Sequence, residues 1–396
     1  MSEAVETKIL LKSPFHSVHQ QLGATMSERD GSSVPESYGD GLLEYAAVRE
    51  GGCGLIDLSS RGRILVSGTE AVQFLNGLVT NDMKTLAENS WMPAAFPNVQ
   101  GRLIASVRVV RLNDEVTDKN VCPTFLIDTE AATRERVLKT IERFTLAGDF
   151  LVTDVTSDAA MLSVQGRKAV DVVHSVFGPA AELPPLGAKR IAWPAGNESS
   201  DAASENSSVT VIRASHTGED GFDFIMNAKQ AVTLWDALQT AGARPFGYAA
   251  LETLRIEAGV PRYGIDMDET NVVTEAALDD AISYTKGCYV GQEIIARIKY
   301  RGHVAKRLTG VIFAQSVDVA AGAVINSADG KEIGRLTSVT YSPHLGRSIA
   351  LAYLKFDYLA ADTKLKIPFG EEELAAQVTE LPFVRRSTAN GLSAAD

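Results

Sequence analysis

Residues 285–293 read TKGCYVGQE, and this short stretch gathers several groups that can do chemistry. Cys288 follows Gly287 and precedes Gly291, with Lys286 two positions before it. The next residues, QEIIARIKY, predict a helix beginning near Gly291, which would put the thiol just ahead of a helix N-terminus. There the helix dipole, free N–H groups and the Lys286 ammonium would all favour a thiolate, the nucleophilic and metal-ligating form. The bland alternative is a small buried cysteine on a protein whose following helix is merely solvated. Between positions 286 and 307 six basic residues face one acid, Glu293, within a chain whose net charge is −12. That local sign reversal marks a surface able to attract an anionic partner.

Two other stretches carry polar groups in unusual company. In SHTGEDGFD (215–223), Glu219 lies between glycines in a predicted strand–turn. Such a carboxylate can accept two parallel N–H bonds from a flat heterocycle showing an amide-like N–H beside an amino group, as pterins and guanines do. The same residues also make an ordinary solvated acidic turn. In YAALETLRIEAG (248–259), Leu251 and Leu254 repeat at helical spacing, and Arg255 falls at the edge of their face. It is either a binding arginine or a partner for Glu252 or Glu219, and its spacing does not decide.

The elements that must position these groups are legible in outline. Apolar residues make up 45% and charged residues 22% of 396 positions, as in ordinary globular proteins of two or three domains. The negative charge argues against generic nucleic-acid binding. Cys53, Cys122 and Cys288 are far apart, so no disulfide framework or self-contained zinc or iron–sulfur site is expected, and no metal ligands are assigned. No apolar run is long enough for a membrane span and the start lacks a signal-like apolar core, so a cytoplasmic location without membrane partners is expected.

Residues 1–40 are polar and read as a flexible lead-in. The phrases ILVSGTEAVQFL (64–75) and LSVQGRKAVDVV (162–173) both run strand, glycine, polar pair, Ala-Val and apolar helix, with Thr69 as a plausible N-cap of the first helix. They predict an α+β fold of two related modules within 41–304, with repeat units near 62–156 and 160–260. Residues 194–208 read as a low-complexity surface insertion, 305–386 as a small all-β barrel, and 387–396 as a disordered tail.

There is no Walker loop, no G-x-G-x-x-G after a strand and no G-x-S-x-G. Instead, RASHTGEDGFDF, GYAALETLRIEAGVPRYGIDMDET and SPHLGRSIALAYL with LPFVRR closely resemble the glycine-cleavage T-protein (aminomethyltransferase) superfamily from about residue 41 to 386. The resemblance implies a three-domain ring, two α+β modules and a C-terminal β-barrel, around a cavity for tetrahydrofolate or a one-carbon derivative. It further implies that Glu219 holds the pterin edge and that Arg255 and Tyr263 line the pocket. His216 stands where that family commonly has a tyrosine. NVQGRLIASVRV (98–109) places Ala105 and Ser106 where aminomethyltransferases carry an Asp-Asp pair, and neither side chain can exchange a proton near neutral pH.

KGCYVGQE, with NVQGR upstream, resembles the YgfZ family of folate-binding proteins, whose members support maturation or repair of iron–sulfur enzymes. That resemblance assigns Cys288 and Lys286 as reactive groups and Tyr289, Gln292 and Glu293 to folate binding. The expectation is therefore a folate-binding accessory protein partnered by iron–sulfur enzymes or their assembly proteins, its basic segment meeting the glutamate tail of folate, an acidic protein or RNA. The rival is a tetrahydrofolate-dependent aminomethyl- or methyltransferase. A third reading is a tRNA-directed enzyme using Arg297, Lys299 and Arg301.

Overall fold

The computed structural model describes residues 10–112, 123–144, 148–193 and 208–385. The repeated phrase becomes a repeated structure. Strand Gly62–Ser67 leads into helix Ala71–Leu78, and strand Ala159–Gln165 into helix Ala169–Phe177. The glycine at each corner has a left-handed backbone, φ +137° at Gly68 and +132° at Gly166. A Cβ would lie 2.2 Å from the Asp149 carbonyl oxygen at the first and 2.6 Å from that of Gly52 at the second. Glycine is thus required twice, by conformation and by close approach. Thr69 does not cap the first helix, because its hydroxyl donates to Asp149 at 2.6 Å.

Each module continues as three antiparallel strands followed by a helix. In the first these are Ser90–Pro97, Leu103–Leu112 and Thr124–Thr129, then helix Ala131–Glu142. In the second they are Ala188–Ala192, Ser208–Arg213 and Gly221–Asn227, then helix Ala231–Thr240. The first module's sheet has five strands and the second's has six. Each sheet covers one face with its own helices, and the opposite faces bury a shared core that includes Val110, Leu112 and Leu126 from one side and Met161, Ile212 and Ile225 from the other. Burying both faces removes every large sheet surface from water.

Six strands between Lys306 and Thr379 close into a barrel with its own apolar interior. Helix Tyr248–Glu257 packs between the barrel and the modules, burying Leu254, Arg255, Ile256 and Glu257. The architecture is therefore two related α+β modules plus a closed β-barrel.

The expectation of a flexible segment over residues 1–40 is corrected for residues 10–40. Strands Thr25–Arg29 and Ser32–Ser37 form a hairpin whose turn, Asp30–Gly31, has positive φ at both residues, and Leu11–Lys12 adds a third strand. Phe15 and His19 are fully buried, with Phe15 against Trp235 and His19 hydrogen-bonded to Asp57 and Tyr38. Polar composition hid this order because backbone pairing and two buried rings, not a long apolar stripe, supply it. Residues 1–9, all but the last residue of the expected insertion at 194–208 and the expected tail at 387–396 lie outside the described residues.

Candidate functional site

A cavity of about 130 Å³ opens where the two modules, the helix Tyr248–Glu257 and the N-terminal hairpin meet. The first module contributes Arg61 and Glu130, the second His216, the connecting helix Tyr248, Leu251, Glu252 and Arg255, and the loop after it Val260, Pro261 and Arg262. Arg29 and Asp30 of the N-terminal hairpin complete the wall, so the segment expected to be mobile closes the site.

Beneath the cavity runs a chain of buried ions. Arg61 pairs with Asp128 at 2.7 Å, Asp128 with Arg108 at 2.6 Å, Arg108 with Asp223 at 2.5 Å, and Asp223 with His216 at 3.0 Å. It starts and ends on residues of the cavity wall and crosses from one module to the other. Strand register explains it: Arg108 lies opposite Asp128, and both point to the inter-sheet side. Burial would push the Asp128 and Asp223 carboxyls up, but Arg61 and Arg108 around the first, and His216 and Arg108 around the second, outweigh burial and hold both low. Ala105 points into the first module's core, and Ser106, two residues before Arg108, lies on the same face of the strand as Arg108.

Glu130 behaves differently. It precedes helix Ala131–Glu142, and its two carboxylate oxygens accept the backbone N–H of Tyr263, each at 3.2 Å. Burial pushes its pKa up to about 7, overcoming the nearby Arg61 and the Tyr263 N–H.

Of the side chains expected to act at a site, Arg255 lines this cavity. It is also tied down: it donates to Asp266 at 2.5 Å, to Ser338 at 2.6 Å and to Glu252, so the ion-pair alternative with Glu252 describes its contacts. Glu219 lies elsewhere. It is buried against Arg49 at 2.7 Å, and Arg49 also pairs with Glu257 at 2.7 Å, which locks helix Gly41–Arg49 to helix Tyr248–Glu257. The carboxylate of the same SHTGEDGFD stretch that stands beneath the cavity is Asp223. Tyr263 turns its ring into a small core and donates to Glu269, while its backbone reaches Glu130.

The KGCYVGQE segment forms a separate corner. Lys286 is buried and donates to the carbonyls of Asn76, Val79 and Asn81 at 2.6–2.8 Å, closing the C-terminal end of helix Ala71–Leu78. Burial lowers its pKa to about 8. The Tyr289 ring lies 5.0 Å from that ammonium and packs in the same small core as Tyr263. Cys288 is exposed, Gln292 starts helix Gln292–Arg301, and Glu293 pairs only with Arg297, one turn on, among the described residues. Gly291 has φ +77°, and a Cβ there would lie 2.4 Å from the Asn98 carbonyl oxygen. The NVQGR turn and KGCYVGQE are therefore packed together, away from the cavity wall. Gly291 serves chain-to-chain contact, a Cβ at Gly287 would meet nothing within 4 Å, and Lys286 acts as a tether rather than beside the thiol.

The GCVT N-terminal domain matches residues 15–286, and the glycine cleavage T-protein C-terminal barrel domain matches 306–385. The chain belongs to the glycine cleavage T-protein family. It is 30% identical to an aminomethyltransferase of Shouchella clausii over 97% of this chain and 100% of that protein. It is 31% identical to an aminomethyltransferase of Rubrobacter xylanophilus, covering 97% and 96% respectively. The crystal structure of the glycine cleavage system aminomethyltransferase T from Bartonella henselae has the same fold, with a TM-score of 0.84 at 23% identity over 95% of this chain and 98% of that one. These full-length T-protein relatives overturn the expectation of an accessory protein for iron–sulfur enzymes, and with it the expected iron–sulfur partners. Among the described residues no helix is long and apolar enough to cross a membrane.

Cavity residues missed by the sequence reading include Arg61, Glu130 and Tyr248. Glu130 had one signal available: an acid between a β-rich run, TFLID, and a helical run, AATRERVL, sits where a strand end delivers side chains to a site.

Proposed function

We propose that the protein is a tetrahydrofolate-dependent aminomethyltransferase, binding the folate in the cavity between the two modules and the connecting helix. The observation that carries this reading is the likeness to aminomethyltransferases over essentially the whole chain. The donor set of the cavity fits the group. Leu58, Leu251, Val260 and Pro261 offer apolar surface to a flat ring, while Glu130, Tyr248 and His216 offer polar edges. Arg29 and Arg262, with side chains 21% and 32% exposed, suit the anionic tail. Tetrahydrofolate supplies a nucleophilic ring nitrogen that accepts the one-carbon unit.

The protein's own part is orientation and charge control. The buried ion chain fixes Arg61 and His216 at the two sides of the cavity, so neither must reorganise when a ligand enters. Arg255, held by Asp266 and Ser338, keeps Glu252 and the loop Val260–Arg262 in place, Val260 through its carbonyl at 3.1 Å. Closure by the hairpin at Arg29 and Asp30 limits water at the reacting centre.

The test is direct. Purified protein should bind tetrahydrofolate saturably, and with an aminomethylated carrier it should release ammonia and form methylenetetrahydrofolate in equal amounts. Binding without turnover would reject the transferase reading, and no binding would reject the folate site.

A further inference from the structure

We propose that Glu130 is the proton-transfer residue of the central cavity: as the acid it protonates the departing amine, and as the carboxylate it takes back the proton shed by the amine that replaces it. This rests on the transferase reading above. During transfer the one-carbon unit forms a C–N bond to each of two acceptor amines and gives up its bonds to the donor nitrogen and to the carrier. The bond to the donor nitrogen breaks with its electron pair on nitrogen, which leaves as ammonia after receiving the Glu130 proton. The first acceptor amine loses one proton as its bond forms, which restores Glu130. The bond to the carrier breaks with its pair on the carrier atom, which takes the proton shed by the second amine. No electron is gained or lost, and no co-reactant beyond donor and acceptor is needed.

The geometry selects Glu130 by comparing the carboxylates around the site. Asp128 is held between Arg61 and Arg108, and Asp223 between Arg108 and His216, so both are fixed as anions. Glu252 meets Arg255, with Arg262 at 3.3 Å and Arg29 at 3.7 Å, and these cations outweigh burial to hold it low. Asp30 is exposed at the tip of the hairpin turn. Glu130 faces the cavity with a single backbone N–H as partner and no ion pair among the described residues. The charged or titratable groups around it are Arg61, Arg255 and Arg262 as cations, Glu252 as an anion, and His216 and Tyr248 on the facing wall. A helix N-terminus and three arginines would favour the carboxylate, yet burial leaves the group titrating near 7, where an acid can both give and recover a proton.

The deciding experiment compares wild type with Glu130→Gln and Glu130→Asp in two readouts. The first needs no substrate: an infrared pH titration should show a protonated carboxyl band that disappears with a midpoint near 7 in wild type and is missing from Glu130→Gln. The second is the pH profile of aminomethyl transfer. Glu130→Gln should lower kcat by roughly 10²–10⁴-fold and lose the limb near neutral pH. Glu130→Asp should recover part of the rate with a shifted limb. Glutamine keeps an acceptor for the Tyr263 N–H, and a native circular dichroism spectrum confirms the fold. An unchanged limb in an active Glu130→Gln protein, or a wild-type protein without the band, overturns the proposal. Wild type that shows the band but never turns over instead rejects the transferase reading, and the proton step falls with it.

Discussion

The cavity and the KGCYVGQE corner are both rich in charge, yet they use it in opposite ways. At the corner, the charge of Lys286 is spent on three carbonyls of a neighbouring helix end, and Gly291 lets two turns touch. In the cavity, arginines and carboxylates pair beneath the wall, while Glu130 has only a backbone partner among the described residues. A distinctive motif can thus be a scaffold joint, while the chemistry falls to residues of no distinctive pattern.

The largest test of this contrast is Arg108→Ala. It strands Asp128 and Asp223 without their shared cation in a buried setting, so urea unfolding should show a loss of about 3–5 kcal/mol. A loss below about 1 kcal/mol would mean that water already screens the ion chain.

Next comes the pH dependence of stability at Glu130. Its folded pKa is raised to about 7 from 4.5, so between those values the folded state holds more protons than the unfolded one. Stability therefore falls as pH rises through that window, by up to about 3 kcal/mol at pH 8 relative to pH 4 from this group. Glu130→Gln should remove that component, seen as a smaller pH dependence of the urea midpoint. An identical dependence in the variant would place the ordinary carboxylate pKa on Glu130.

Lys286→Met should cost about 1–3 kcal/mol, because it leaves the carbonyls of Asn76, Val79 and Asn81 without their donor. Tetrahydrofolate affinity should stay within a few-fold. A large loss of affinity with little loss of stability would move the corner into the binding site. Smallest of all, Cys288→Ala at an exposed position should change stability by less than about 0.5 kcal/mol. Full retention of transfer activity would keep the thiol outside the reaction, and an inactive variant would bring it in.

Much of the fold was legible in the sequence, because local rules fix it. The strand–glycine–helix phrase reads as a repeat since Gly68 and Gly166 meet the same steric demand, and the barrel reads from short β-rich segments between turn residues. The N-terminal hairpin was not legible, since Phe15 and His19 find their partners, Trp235 and Asp57, only through tertiary packing. The site was less legible still. Arg61, Glu130, His216 and Tyr248 come from separate parts of the chain, and no local spacing brings them together. Glu219 and Asp223 lie four positions apart, and only the strand pairing of Gly221–Asn227 shows that Asp223 faces Arg108 while Glu219 faces Arg49.

The measurement that tests the central claim most directly is tetrahydrofolate binding by titration calorimetry on wild type and on Tyr248→Ala, a wall residue, beside Cys288→Ala at the corner. The account predicts one saturable site in wild type, at least about tenfold weaker binding in Tyr248→Ala, and wild-type affinity in Cys288→Ala. The reverse pattern, affinity lost with Cys288→Ala and kept with Tyr248→Ala, would contradict it and place the ligand at the corner.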